Sequence, residues 1–161
     1  MLTKKKPIKR SASLLSLSKE HHFTLLFCWK IRQGLKNEID AGRIIKYVQY
    51  FEKHLLLPHF TEEETVVFLS SDDYLVQKAI EQHQQIKNLI SALPDAKDVA
   101  SVLQKLAALV DDHVRYEERE LFPHLENLLS YEQLESIGKQ LKDDHAAEMK
   151  DEYADEFWIK K

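Results

Sequence analysis

Two short words in this chain carry the same chemistry. His59-Phe60-Thr61-Glu62-Glu63 and His113-Val114-Arg115-Tyr116-Glu117 each set an imidazole and a carboxylate four residues apart. On an α-helix those positions share a face, one turn apart. One helix can therefore offer both groups to a single cation. His21 and His83 stand alone, but each lies on an apolar helical stripe. The first stripe is Leu14, Leu17, His21, Leu25, Cys28, Ile31 and Leu35; the second is Val76, Ala79, Ile80, His83, Ile86 and Ile90. The two words sit on stripes as well, His59 and Glu63 between Leu55 and Val66, His113 and Glu117 between Val110 and Leu121. Burying an ionised group without a partner costs on the order of several kcal/mol. A single such residue is ordinarily a hydrogen-bonded core histidine. Six of them, in phase with the core on four helices, call for a common partner.

A divalent or trivalent cation is such a partner. It neutralises both carboxylates and takes up the imidazole lone pairs. Nitrogen and oxygen donors without thiolate suit iron, manganese, zinc or copper and disfavour calcium and magnesium. Carboxylates from two helices can bridge two ions, as in bundle carboxylate centres, although the ligand count also permits one.

The elements that must position these residues read as helices throughout. Three Gly and four Pro among 161 residues, with abundant Leu, Lys, Glu and Gln, predict an all-α chain of one domain. The first helix is expected from Ser13 to about Glu38, with Gly42 in or near the following turn. A second covers roughly 41–69, and Pro58 either kinks it or makes it restart, Thr61-x-x-Glu64 being a possible capping box. Ser70-Ser71-Asp72-Asp73 opens a third, about 72–92, and Pro94-Asp95 breaks it. A fourth runs from about 96 to 121, bends at Pro123 and continues to about Leu129. Ser130-x-x-Gln133 opens a fifth, about 131–157, with Leu134, Ile137, Leu141 and Met149 inward. Short linkers favour antiparallel neighbours, hence an up-down-up-down four-helix bundle with an additional C-terminal helix.

These words and their order resemble the hemerythrin-like, HHE cation-binding domain. The matching pieces are Glu20-His21, Pro58-His59-Phe60-x-x-Glu63-Glu64, His83, and His113-x-x-x-Glu117-Glu118-Arg119-Glu120-Leu121-Phe122-Pro123. The likeness spans about 17–129. It implies a non-haem di-iron centre with His21, His59, His83 and His113 as terminal ligands and Glu63 and Glu117 as bridging carboxylates. Manganese or zinc are the alternative metals. It also implies that dioxygen, nitric oxide or peroxide is bound or sensed at an open metal position. Oxygen carriers of this kind have a second histidine one turn after the third-helix ligand; here that position is Lys87. Lys87 is expected to point into the metal cavity or to snorkel past it. An open site of this type suits sensing, peroxide or nitric-oxide chemistry, or iron handling better than oxygen carriage. A helical interaction module with a structural metal is the remaining alternative.

Other residues receive plainer readings. His22 competes with His21 on a less consistent stripe, so His21 is preferred. His54 is expected behind the site or as a structural residue, and His124 and His145 at the surface or as spare ligands. Glu62, Glu64, Glu118 and Glu120 are read as a solvated acidic face, with Glu118 able to replace Glu117 if the fourth helix bulges. The charge is uneven: Lys4, Lys5, Lys6, Lys9 and Arg10 open the chain without an acid, leaving 18 basic and 27 acidic residues. This predicts a disordered basic arm over 1–12, a bundle over 13–129 and an appended helix and tail over 130–161, with nucleic acid an improbable partner. No run is apolar enough to span a membrane, and a lone cysteine, Cys28, fits a reducing cytoplasm. No nucleophile–base pair or phosphate-binding loop is present.

Overall fold

A computed structural model describes residues 10–70, 72–144 and 150–159, without the side chains of 70, 143 and 144. Lys4, Lys5, Lys6, Lys9, Ser71, His145 and Met149 lie outside the described residues. Among those described there is no strand, as the composition predicts. The helices are α1 (Leu15–Lys36), α2 (Ala41–Phe51), α3 (Leu57–Glu62), α4 (Tyr74–Ala92), α5 (Val99–Tyr116), α6 (Phe122–Leu128) and α7 (Tyr131–Asp144). No described helix is long and apolar enough to cross a membrane.

The stops are local chemistry. α1 ends two residues earlier than expected, in a left-handed Glu38 at φ 53°. The Ile39 N–H reaches the Gly34 carbonyl at 2.9 Å and the Glu38 N–H reaches that of Leu35 at 3.2 Å. This is the doubled hydrogen bond that closes many helices, with a glutamate where glycine is usual. Gly42 lies just past this turn, as the second residue of α2. Asp73 caps α4 by accepting from the Val76 N–H at 3.1 Å, and Asp98 caps α5 from Ser101. The expected Ser130/Gln133 box is formed in both directions, at 2.9 and 3.1 Å.

Of the two outcomes expected at Pro58, a kink or a restart, the helix does not restart. A π-turn, Glu52–Leu56, joins α2 to α3, and the Leu57 N–H bonds the Glu52 carbonyl five residues back. A proline ring collides with the carbonyl four residues earlier in a regular helix, and a wider turn relieves this. Thr61 is no cap: it lies inside α3, and its carbonyl accepts the Thr65 hydroxyl. Two more π-turns follow the metal-type words. Glu63–Val67 leads through Phe68–Ser70, and Glu117–Leu121 joins α5 to α6 just before Pro123.

Two apolar clusters are separated by the buried His/Glu residues. One contains Phe27 and Ile31 of α1, Tyr47, Phe51 and Leu55 from the second helical stretch, Ile86 and Ile90 of α4, and Leu103 to Val110 of α5. The other contains Leu14 and Leu17, Val67 and Phe68, Val76 and Ala79, and Leu121 to Leu125, with Ile137 and Leu141 of α7. Successive helices thus meet the clusters in alternating order. One stripe residue is misassigned by simple periodicity: Leu25 is 40% exposed, and Thr24 takes the inward place between His21 and Cys28.

The fifth helix does not reach 157. Residues 150–159 are non-helical and pack on α1 and α2. Phe157 is buried over Gly34, where an added Cβ would come within 2.8 Å of the ring. The Asp151 carboxylate accepts from the buried Lys30 ammonium at 3.0 Å and from the Tyr47 hydroxyl at 2.5 Å. Lys30 also lies 4.0 Å over the Trp158 ring. Continuing the helix would remove all of these contacts, which is why the aromatic tail folds back instead.

Candidate metal centre

All six residues singled out by spacing meet in the buried layer. His21, His59, Glu63, His83, His113 and Glu117 are each 3% exposed or less. They form two overlapping groups of four: His21, His59, Glu63 and Glu117; and Glu63, His83, His113 and Glu117. Within each group the ligand-type atoms all lie within 4.8 Å of one another. Glu63 Oε1 stands 3.2 Å from both His59 Nε2 and His83 Nε2. Glu117 Oε1 stands 3.6 Å from His21 Nε2 and in contact with His113 Nε2. Glu63 and Glu117 belong to both groups, and each is the first residue of a π-turn.

The donor set passes a direct test of fit to cations. The Nε2 atoms of all four histidines and both oxygens of both glutamates are buried without a hydrogen bond of acceptable geometry. Buried polar atoms are normally satisfied. Eight unsatisfied lone-pair donors pointing at one another suit positive ions between them.

The far side of each ring explains why Nε2 is the free atom. His59 Nδ1 is hydrogen-bonded to Glu20 at 2.7 Å, His83 Nδ1 to Glu64 at 3.2 Å and His113 Nδ1 to Gln82 at 2.6 Å. A carboxylate or amide oxygen at Nδ1 fixes the proton there and leaves Nε2 as a lone pair for metal. His21 Nδ1 faces Glu118 at 3.6 Å, beyond a hydrogen bond. Each partner is the chain neighbour of a metal-type residue on its own helix and serves the histidine of the next. Glu20 beside His21 serves His59; Glu64 beside Glu63 serves His83; Gln82 beside His83 serves His113; Glu118 beside Glu117 faces His21.

Electrostatics of the metal-free layer follow. Burial alone would lower the His21 and His83 pKa values, but the surrounding carboxylates outweigh it. Glu117 and Glu118 raise His21 from 6.5 to about 9, and Glu117, Glu63 and Glu64 raise His83 to about 10. His59 is raised well above its ordinary value against burial by Glu63 and Glu20. For Glu117 burial acts upward, but His113 and its other neighbours hold it well below the carboxylate range. Without metal, protons therefore hold the layer together.

A family model described as the Hemerythrin HHE cation binding domain matches residues 15–125. The chain belongs to this family. No curated protein and no solved structure matches the chain significantly. The family is described as cation binding, and the buried His/Glu layer is a group of side chains able to hold such an ion.

Several neighbouring expectations are refined in this HHE domain. His22 is exposed, so periodicity chose between the two adjacent histidines as the structure does. His54 is exposed beside Tyr50, and His124 is bonded to Asp73 at 2.6 Å, so neither approaches the layer as a spare ligand. The fourth helical stretch does bulge, but Glu117 stays inward and Glu118 does not replace it. Glu64 and Glu118 are nevertheless not simply a solvated face, since each addresses a histidine. Lys87 snorkels past the layer, its ammonium 3.9 Å from Glu64 and its side chain 34% exposed. Spacing along one helix did not reveal Glu20, Gln82, Glu64 and Glu118 as supports, because each lies one residue off its own stripe. The available signal was adjacency to a metal-type residue in every case.

Proposed function

We propose that this chain is a non-haem iron protein holding two carboxylate-bridged ions and binding or sensing a small ligand such as dioxygen, nitric oxide or peroxide. The observation that carries this reading is the pair of overlapping groups sharing Glu63 and Glu117. One position draws on His21 and His59, the other on His83 and His113. Iron is the favoured metal, with manganese or zinc next, on the balance of two imidazoles and two shared carboxylates per position. Each position offers four protein donors, and iron held there would have open coordination positions and accessible redox states. The layer's burial excludes bulky substrates and favours ligands of a few atoms.

The alternating passage of the helices between the two clusters supports an antiparallel up-down-up-down bundle over 13–129. Of the basic arm expected to be disordered over 1–12, residues 10–12 are described, and Arg10 and Ser11 are bound to Glu126. Cys28 is buried, and burial together with Asp111 pushes its thiol up to about 12, which fits an inert cysteine in a reducing cytoplasm.

Turnover of peroxide or nitric oxide, or iron transfer, is the second reading. Lys87 favours it, since this residue adds no ligand on α4 and leaves the His83 position open. The test is optical titration of anaerobically iron(II)-loaded protein with nitric oxide and with oxygen, using zinc-loaded protein as control. Reversible spectral change in the iron form alone supports binding or sensing, and sustained consumption of the ligand supports an enzyme. No response to either gas would remove the ligand-binding reading.

A further inference from the structure

The support around the histidines has one open link, and the chain's N-terminal segment reaches it. Glu20, Glu64 and Gln82 each hydrogen-bond an imidazole directly, but Glu118 stops 3.6 Å from His21 Nδ1. Glu118 also lies in the π-turn that begins with Glu117. The Phe122 N–H bonds the Glu117 carbonyl, and the next residue in line, Pro123, has no N–H. The Glu118 carbonyl is thereby deprived of a main-chain donor. Arg10 supplies a side-chain donor in its place: its guanidinium donates to that carbonyl at 2.5 Å. The same fault after the first π-turn falls on Lys53, before Pro58, where the residue is exposed and water can serve.

Arg10 is built into this place. Its side chain is 5% exposed and pairs with Glu126 at 2.6 Å. The Ser11 main-chain N–H donates to the other Glu126 oxygen, so one carboxylate clamps two successive residues. Arg10 lies 5.3 Å from the Phe122 ring centre, and Phe122 in turn stacks on His21. The Arg10 guanidinium stands 3.6 Å from the Glu118 carboxylate, which also accepts the Ser18 hydroxyl at 2.8 Å. Arg10 precedes the family-matched span, 15–125.

Building on the metal reading above, we propose that Arg10 is a positioning residue of the metal centre: by donating to the Glu118 carbonyl that Pro123 leaves without a main-chain partner, it fixes the π-turn that aims Glu117 and faces His21. The main-chain bond dominates over the looser carboxylate contact. Loss of Arg10 therefore slackens Glu117 and Glu118 together and weakens most the position built on His21 and His59, the one that Glu118 faces. Outer groups that orient metal ligands commonly change metal affinity by about tenfold or more.

The experiment follows release of iron(II) from anaerobically loaded protein to a colorimetric chelator, for wild type, Arg10→Ala, Arg10→Lys and Glu126→Gln. Arg10→Ala should speed one of two release phases about tenfold, through Glu118 and His21, and the other by clearly less, through the shared Glu117. Arg10→Lys, which keeps a cationic donor, should restore most of the difference, and Glu126→Gln should fall between. Circular dichroism at the same temperature checks that each variant is folded; if Arg10→Ala is not, Glu126→Gln carries the test. Equal acceleration of both phases would assign Arg10 to general stability and overturn the proposal. Unchanged or slower release would overturn it as well, the latter by showing that Arg10 holds Glu118 back from His21. A wild-type protein that takes up no iron would sink the metal reading and this inference with it. Uptake by wild type with indifferent variants would sink only the role of Arg10.

Discussion

At the residue scale, the ligand-type groups were legible because their position contradicts their polarity. A histidine or glutamate in phase with leucines announces itself, and six of six are buried together. Their supports were not legible by the same rule. Glu20 sits one residue off the stripe, and its partner His59 is 39 residues away on another helix. No pattern within one helix encodes that pairing. The geometry nevertheless gives it weight. Replacing Glu20 with Ala should free the His59 ring and lower metal affinity roughly 10- to 100-fold, read by competition with a chelator of known affinity. An unchanged affinity would show that His59 is held by packing alone.

At the element scale, helix identity was readable and helix continuity was not. Proline at 58 signalled a kink or a restart and proline at 123 a bend with a continuation to about Leu129; π-turns carry both helical stretches onward. The decisive factor is a shift of one hydrogen bond from four to five residues, which propensity does not register. The aromatic tail was misread for a related reason. Asp151, Phe157 and Trp158 can serve a helix locally, but Lys30, Gly34 and Tyr47 offer them partners far along the chain. Lys30 and Asp151 form a nearly fully buried pair. Breaking such a pair from one side leaves an uncompensated charge and costs about 3–5 kcal/mol. Asp151→Ala should therefore lower urea stability by about that amount, whereas Arg43→Ala, which removes an exposed, solvent-screened pair with Asp155, should leave it nearly unchanged. Similar effects of the two substitutions would mean that the tail contributes little.

At the scale of the whole molecule, a polar layer lies between two apolar clusters, and its charge state couples fold to metal. In the metal-free protein the raised histidines stabilise the fold fully below their ordinary value of 6.5. That contribution is lost as pH rises through about 9 to 10, where the folded-state histidines give up their protons. Glu117, held low, stabilises above its ordinary value of 4.5, and its contribution is lost as pH falls through its depressed folded value. Thermal melts of metal-free protein should therefore show Tm declining from pH 7 to pH 10. A metal ion held in the layer would take the place of those protons, so metal uptake should release protons and flatten the decline. A metal-free Tm that rises across this range would show that the layer is not proton-held.

The central claim is that Glu63 and Glu117 are shared by two metal positions. Its most direct measurement is the metal-to-protein ratio by elemental analysis after production with added iron, for wild type and for the Glu63→Ala, Glu117→Ala double variant. The account predicts about two ions per wild-type chain, from the two overlapping groups, and close to none in the variant. A ratio near one would contradict the shared, two-position centre. Equal metal content in the two proteins would contradict the site itself.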